Sequence, residues 1–400
     1  MSAPALAERF GRVAVAHEWL TVPGGSEQVV EAILALFPQA DVFTTVYEPG
    51  AFGWLDGHRV HESALGRVPG ARRHYPKLLG LMDAAWRHFD LSDYDLVVSS
   101  SHACAKNVRT AKGTVHVCYC HTPMRYLWDP GFLDGERLGR VGHAAFRAAM
   151  PRLRRADLRG VAGVDRFVAN SSVVAGRIER FYGRASDVVH PPVRVRSRLE
   201  HPRPPVDREA PYLVFGRLVP YKRVDHAVQA CARLGRRLVV AGDGRDAARL
   251  RAMGGAGASF VGRVGDEQMA SLLASSRALL FPGEEDFGMV PVEAQAAGLP
   301  VIGLGTGGVR DSVVDGVTGV LYEDHTVEGL VAAIERFEAL ALDETAVRDN
   351  ARRFGPERFS QGFIRAVLAT RAGDRRPAVV PVRPPGSRPR TVSEEAERGR

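Results

Sequence analysis

PYLVFGRLVPYKRVDHAVQACARLGRRLVVAG, residues 211–242, reads as strand, turn, helix and strand. The apolar run 211–216 stops at Gly216 and a polar turn follows. Apolar residues then recur at helical spacing over 223–234, and RRLVVAG at 236–242 is a second apolar run. A strand that is apolar at nearly every position buries both faces, so it belongs to a parallel sheet covered by helices on both sides. The alternation continues through ASFVG (258–262), ALLFPG (278–283), LPVIGL (299–304) and TGVLY (318–322). Helices are expected at 266–276, 288–297 and 326–340, and a helical stretch at 345–370.

Upstream, the pattern is the same. RVAVAHE (12–18), DVFTTVY (41–47), YDLVVSS (94–100), TVHVCYC (114–120) and DRFVANS (165–171) read as strands. Helices are expected at 26–36 and at 136–158, the latter bent at Pro151. Between the two halves, residues 191–211 hold six prolines and no periodicity, which marks a linker. The chain of 400 residues therefore divides at 195/196 into two doubly wound α/β domains, 1–195 and 196–355. A helix at 356–371 is expected to pack back toward the first domain, and 372–400 to be a disordered, basic, Pro-rich tail.

With 45% hydrophobic and 25% charged residues, this is the composition of a globular chain, neither wholly disordered nor a membrane bundle. The net charge is +8, from 54 Lys+Arg against 46 Asp+Glu, and a basic surplus suggests an anionic partner. Half of it lies in 371–400, where eight Arg face four acids. Four cysteines are too few to staple the chain and suit a reducing compartment. The N-terminus does not read as a secretory signal, so a cytoplasmic location is expected.

Ligands of doubly wound sheets bind at the carboxyl ends of the strands, so the chemistry is sought there. FGRLVPYKR (215–223) places Arg217 and Lys222 just beyond a strand and before a helix: an anion site, or two surface cations. GEEDFGMVPVEAQAAG (283–298) offers Glu285 and Glu293, with Gly288 and the peptide N–H groups of Phe287, Met289 and Val290 opening an apolar helix. Buried on such a helix, Glu293 needs a ligand or an internal cation. TVPGGSEQ (21–28) puts Gly24 and Gly25 ahead of a helix, to approach a phosphate or merely to turn. YCHTPMRYLWD (119–129) ends a strand at His121, as a cleft residue or a structural histidine. Cys118, Cys120 and His121 lack a second ligand pair, so no metal site is expected. VAGDG (240–244) lacks the full dinucleotide fingerprint, and Asp93 and Asp95 lie at the wrong end of their strand.

The set, in this order, resembles the family-four retaining glycosyltransferases of the GT-B fold. The residues that carry it are GGSE (24–27), HTPMRYLWD (121–129), GRLVPYK (216–222), VGRV (261–264), the Glu285-to-Glu293 motif and GTGGVRDSVVDGVTG (305–319). HTPMRYLWD looks most like bacterial mannosyltransferases of surface-polysaccharide assembly. The resemblance implies two Rossmann-like domains facing across a cleft, acceptor on the first and sugar nucleotide on the second. It implies that Arg217 and Lys222 hold the departing diphosphate, Glu285 the donor sugar hydroxyls and Glu293 the ribose. Phe287 to Val290 would meet sugar and phosphate, Gly25 the diphosphate, His121 the sugar, and Arg263 and Val264 the base. The donor would be GDP-mannose or another nucleotide-diphosphate hexose, with no metal or other cofactor, and the acceptor a lipid-linked sugar or polysaccharide. Where the family usually shows Glu before Ser/Thr-Val, Asp311 precedes Ser312.

Residues 67–88 mix cations with Leu, Met and Trp, which suits peripheral contact with the anionic inner face of the plasma membrane, or an ordinary basic face over a core helix. Three other classes compete. A sugar-nucleotide epimerase of the same architecture would consume donor without acceptor. A polyanion-binding protein would bind nucleic acid steeply with salt, but no nucleic-acid motif is present. A dinucleotide oxidoreductase would need the missing glycine fingerprint.

Overall fold

The structure is a computed structural model that describes residues 9–129, 139–195, 199 and 203–371. The expected tail 372–400, the first residues of the helix expected at 136–158 and part of the linker lie outside them.

Two wholly parallel sheets form the frame. The first runs β1 (Val13–His17), β2 (Asp41–Thr44), β3 (Val60–Glu62), β4 (Leu96–Ser101), β5 (Val115–Cys120), β6 (Arg166–Ala169) and β7 (Ser186–Val188). Its spatial order is β3-β2-β1-β4-β5-β6-β7. The edge strands β3 and β7 left no apolar run in the sequence, since both are three residues long and partly exposed. Alternation assigns the faces. Val15, Val98, Val117 and Val168 pack with the helix Gly25–Leu36 on one side. Ala14, Val97, Cys118 and Phe167 face the other, where the helix Gly139–Ala162 lies. That helix continues through Pro151.

The second sheet comprises β8 (Tyr212–Phe215), β9 (Leu238–Ala241), β10 (Ala258–Gly262), β11 (Leu279–Phe281), β12 (Val301–Leu304) and β13 (Gly319–Tyr322), in the order β10-β9-β8-β11-β12-β13. Each sheet is laid down outward to one edge and then resumes on the other side of its first strand. The reversals fall between β1 and β4 and between β8 and β11, and a crevice opens beyond the strand ends at such points.

The stretch 345–370 is two helices, Glu344–Ala351 and Pro356–Arg371, rather than one. Pro356 lacks the N–H that a continuing helix would use but suits a first turn, so the chain restarts there. The second helix carries Phe359, Phe363 and Val367 at four-residue spacing into the core of the first sheet. Phe359 lies 5.7 Å, ring to ring, from Tyr119 on β5, and Arg166 on β6 donates to Thr370 Oγ1 at 3.0 Å. Within 67–88, Met82 and Trp86 are fully buried core, while Leu81 is 57% and Val68 41% exposed. Among the described residues no helix is long and apolar enough to cross a membrane.

Candidate active site

The two topological reversals face each other across a cleft of about 870 Å³. On the carboxyl-terminal side, β8 ends in the turn that carries Arg217 and leads to Lys222. The segment after β11 lies directly against that turn. A Cβ on Gly283 would sit 2.5 Å from Lys222 Cα, so only glycine lets the two backbones touch. This contact sets Lys222 Nζ 2.7 Å from Glu285 Oε1. The nitrogen approaches outside hydrogen-bonding angles, so the contact is one of charge, and the buried Oε1 keeps its capacity to accept. Gly288 takes left-handed backbone (φ 81°) and opens the helix Met289–Ala296. Phe287 packs inward, 5.4 Å from the His190 ring and 5.7 Å from Phe354, so it is its backbone that faces the cleft. Glu293, half-buried one turn into that helix, lines the cleft as well.

On the amino-terminal side, Gly24 precedes the helix that Gly25 begins. A Cβ on Gly25 would lie 2.9 Å from Met289 Sδ, which measures how closely the two helix starts approach. His121 follows β5. Its Nε2 lies 2.8 Å from Ser100 Oγ, and its carbonyl accepts from Asn170 Nδ2 at 3.0 Å. Burial, with the nearby rings of His102 and His17, pushes the His121 pKa well below the ordinary histidine value. Beside it, the fully buried Glu18 organises the loop after β4: its Oε1 accepts from Ser101 Oγ and from the backbone N–H groups of Ala103 and Ala105 at 2.8–2.9 Å. That loop presents His102 to Trp19, whose ring also lies 4.8 Å from Tyr75, so an aromatic wall lines the cleft.

A polar clasp joins the domains beside the cleft, with Asp286 its one member in the lining. Arg177, on the helix Ser172–Tyr182, pairs with Glu284 at 2.8 Å and with Asp286. Burial raises the Asp286 pKa, with Arg177 and Arg125 pulling part of it back. Asp311 accepts from the Ser172 backbone N–H at 2.7 Å and lies 3.1 Å from His190 Nε2.

Thus Arg217, Glu285, Glu293 and the Phe287–Val290 segment meet His121, Gly24 and Gly25 around one cleft, with Lys222 held to Glu285. Arg263 and Val264 do not line it: Arg263 is exposed, and Val264 packs on the cluster around Leu213 and Phe281. Cys118 and Cys120 are core side chains of β5. Arg12 donates its backbone N–H to Asp95 at 2.8 Å and pairs with Asp93, at the far end of the first sheet. Sequence reasoning missed Arg177, Trp19, Tyr75 and His102, which belong to no local motif. Arg245, another cleft residue, stands next to the VAGDG turn, which drew no attention for want of a dinucleotide fingerprint.

Comparison with known proteins agrees with this geometry. Residues 23–196 match the model of Glycosyltransferase Family 4 and residues 198–354 that of Glycosyl transferases group 1. The chain is 32% identical over 200 residues to glycogen synthase of Mycobacterium tuberculosis, covering 44% of this chain and 46% of that one. It is 34% identical over 206 residues to D-inositol 3-phosphate glycosyltransferase of Streptomyces scabiei, covering 41% and 44%. The matched part thus spans about half the length of these curated relatives or less. Among solved structures, Anabaena Alr3699/HepE in complex with UDP-glucose superposes with a TM-score of 0.62 at 17% identity, covering 90% of this chain and 99% of that one. WaaG, a glycosyltransferase involved in lipopolysaccharide biosynthesis, gives a TM-score of 0.55 at 16% identity, covering 89% and 99%. The two facing parallel-sheet domains give the chain the GT-B fold, in which residues 23–196 match a family-4 model and residues 198–354 a group-1 model of glycosyltransferases.

Proposed function

We propose that this chain transfers a hexosyl unit, with retention and without a metal, from a nucleotide-diphosphate hexose to a lipid-linked or polysaccharide acceptor. The observation that carries the reading is the Lys222–Glu285 contact at 2.7 Å beside Arg217, facing His121 across the cleft. Cleaving a sugar–diphosphate bond leaves negative charge on the diphosphate. Arg217, Lys222 and the N–H groups that open the helix Met289–Ala296 are fixed where that charge develops, and fixed positive groups stabilise it without reorganisation. Glu285, neutralised by Lys222 before the donor arrives, keeps an oxygen to accept sugar hydroxyls. The acceptor hydroxyl enters on the face the diphosphate leaves. Its oxygen bonds to the anomeric carbon as the bond from that carbon to the phosphate oxygen breaks, and its proton passes to the departing oxygen. The clasp of Arg177 and Asp311 closes the cleft and excludes water, which would otherwise hydrolyse the donor.

Mannose from GDP-mannose is the donor favoured by the HTPMRYLWD resemblance; the UDP-glucose complex of HepE supplies the competing arm. Leu81 and Val68, exposed among the cations of 67–88 beside Tyr75 and Leu79 of the cleft, support contact with an anionic membrane that delivers the acceptor. A thermal-shift panel of GDP- and UDP-sugars tests the reading. The true donor at a hundred times its Kd stabilises the fold by about 2.7 kcal/mol. Stabilisation by none of them overturns it.

A further inference from the structure

Glu284, Glu285 and Asp286 set three carboxylates in succession between β11 and the helix Met289–Ala296, where the chain is neither strand nor helix. Their counter-charges come from two different domains. Lys222, of the carboxyl-terminal domain, meets Glu285 at 2.7 Å. The flanking pair is met by one cation of the amino-terminal domain: Arg177 holds Glu284 at 2.8 Å through Nη2 and Asp286 through Nη1. Ser171 Oγ, at the start of the Arg177 helix, donates to the Asp286 carbonyl.

The carboxyl-terminal domain holds this segment by the Glu285 backbone. Gly308 N–H donates to the Glu285 carbonyl at 2.9 Å, and a Cβ on Gly307 would fall 2.4 Å from that oxygen. The peptide that carries Glu285 is thus pinned at its carbonyl by its own domain and on both flanks by the other. Charge adds to the need for Arg177. Burial raises the Asp286 pKa and the charge of Glu285 adds to it, while Arg177 leads the groups that lower it. A planar guanidinium offers separate N–H edges to two carboxylates and so fixes their separation, which a point-like ammonium does not.

We propose that Arg177 is a positioning residue for Glu285: gripping Glu284 and Asp286 from across the domain boundary, it sets the carboxylate that takes the donor hexose, so that the hexose contact is complete only while the domains are closed. The inference rests on the proposed transfer function. It goes beyond the closing role of the clasp, because it acts on the sugar end of the donor and leaves the nucleotide end alone.

The test has two arms. Isothermal titration of UDP, UDP-glucose, GDP and GDP-mannose into the wild-type full chain identifies the pair that binds. Arg177→Ala should then weaken the nucleotide sugar about tenfold or more and lower kcat at least as much, as small misplacements at a reacting centre do. The matching nucleoside diphosphate should keep its wild-type Kd, because Asp311 still holds Ser172 across the boundary. Asp311→Ala provides the contrast: it loosens the boundary without touching residues 284–286, and should weaken diphosphate and nucleotide sugar alike. Loss of both ligands in equal proportion in Arg177→Ala, or of neither, overturns the proposal. Should Arg177→Ala fail to fold, the same comparison is read in Arg177→Lys, which keeps the charge but not the fork. The second arm is hydrogen exchange of the chains without ligand. Peptides covering 283–290 should exchange faster in the Arg177 variant than in wild type, and unchanged exchange overturns the proposal. If no nucleotide sugar binds the wild-type chain, the functional reading fails, and hydrogen exchange still decides whether Arg177 holds the segment.

Discussion

Asp311 Oδ2 accepts the backbone N–H of Ser172 at 2.7 Å, tying residues 139 positions apart in sequence across the two domains. The carboxylate meets the helix Ser172–Tyr182 at its N-terminus, where exposed N–H groups and the helix dipole favour negative charge. Burial alone would raise the Asp311 pKa, but the hydrogen bonds of His190 and Ser172 outweigh it and hold the carboxyl below its usual range. Asp311→Ala should therefore cost about 1–2 kcal/mol of stability, as the loss of a helix-capping acceptor does. It should lower kcat/KM by more than that stability loss accounts for if the clasp holds the two domains together over the donor, as proposed above. Since the folded pKa is the lower one, the contribution is complete above about pH 4 and is lost only as pH falls below it. Steady-state kinetics beside thermal melts check this, and wild-type kcat/KM in Asp311→Ala contradicts a closing role.

The Lys222–Glu285 contact depends on backbone as much as on charge. A Cβ on Gly283 would fall 2.5 Å from Lys222 Cα and 2.8 Å from its carbonyl carbon and oxygen. These atoms cannot swing aside as a side-chain tip can, so Gly283→Ala should move the Lys222 turn and cost about 1–3 kcal/mol. Lys222→Ala leaves the backbone in place but removes the cation proposed to hold the diphosphate, and should cost about 10²–10³ in kcat. Glu285→Ala should abolish turnover. A fully active Glu285→Ala protein would refute the site.

How much of this was legible in the sequence follows from how local each signal is. The strands apolar on both faces, such as VAVAH of β1, announced buried parallel sheets. The edge strands Val60–Glu62 and Ser186–Val188 did not, because one-sided, partly exposed pairing leaves no apolar run. Arg217, Lys222 and Glu285 could be read because each follows a strand within a few residues, where the fold must place ligand contacts. Arg177 could not be read, as it is one cation on an ordinary amphipathic helix, and only the tertiary fold carries it to Glu284 and Asp286. Glu27 was legible as part of GGSE, but its partner His17 stands inside a strand that reads as plain core. Arg263 and Val264 belong to a legible motif after β10, but Arg263 is exposed and neither residue is among those lining the cleft.

The first domain holds a buried ion pair that the candidate site does not use. Lys106 and Asp157, 2% and 3% exposed, are in contact. Lys106 also donates to Ala103 O at 2.9 Å, and Trp128 Nε1 to Asp157 at 2.7 Å. Burial alone would lower the Lys106 pKa, but the charge and hydrogen bond of Asp157 raise it above the ordinary lysine value. Breaking such a pair strands a charge, so Asp157→Ala should cost about 3–5 kcal/mol. Replacing both by apolar residues, as in Lys106→Met with Asp157→Leu, should cost less than the single change, although Trp128 loses its acceptor. Urea unfolding of the three proteins checks the order, and a single variant as stable as the double contradicts it.

One buried histidine, His116, and two at the cleft wall, His102 and His121, set the acid limit of the fold. His116 is 1% exposed, with Nε2 2.9 Å from Ser99 Oγ and Nδ1 3.2 Å from Gly163 O. Burial depresses its pKa to about 4, with Gly163 and Asp165 opposing. Burial also lowers His102 against the pull of Glu18, and lowers His121 together with its histidine neighbours. For each, the unfolded chain binds a proton below about pH 6.5 that the folded chain refuses, so stability must fall as pH drops through that value. His116 alone should remove on the order of 3 kcal/mol by pH 4, because a tenfold difference in proton affinity between the unfolded and folded chains is worth about 1.4 kcal/mol. The buried carboxylates Glu18, Glu27 and Asp311 do not produce this loss. Their pKa values are lowered, so their contribution persists until pH falls below about 4. Urea midpoints between pH 7.5 and 4.5 should therefore decline from about pH 6.5, and His116→Phe should flatten the profile if the variant folds. Proton uptake on unfolding at pH 5 provides the independent measure: a flat profile with no uptake would mean these rings are charged or solvated in the folded chain, contrary to their packing.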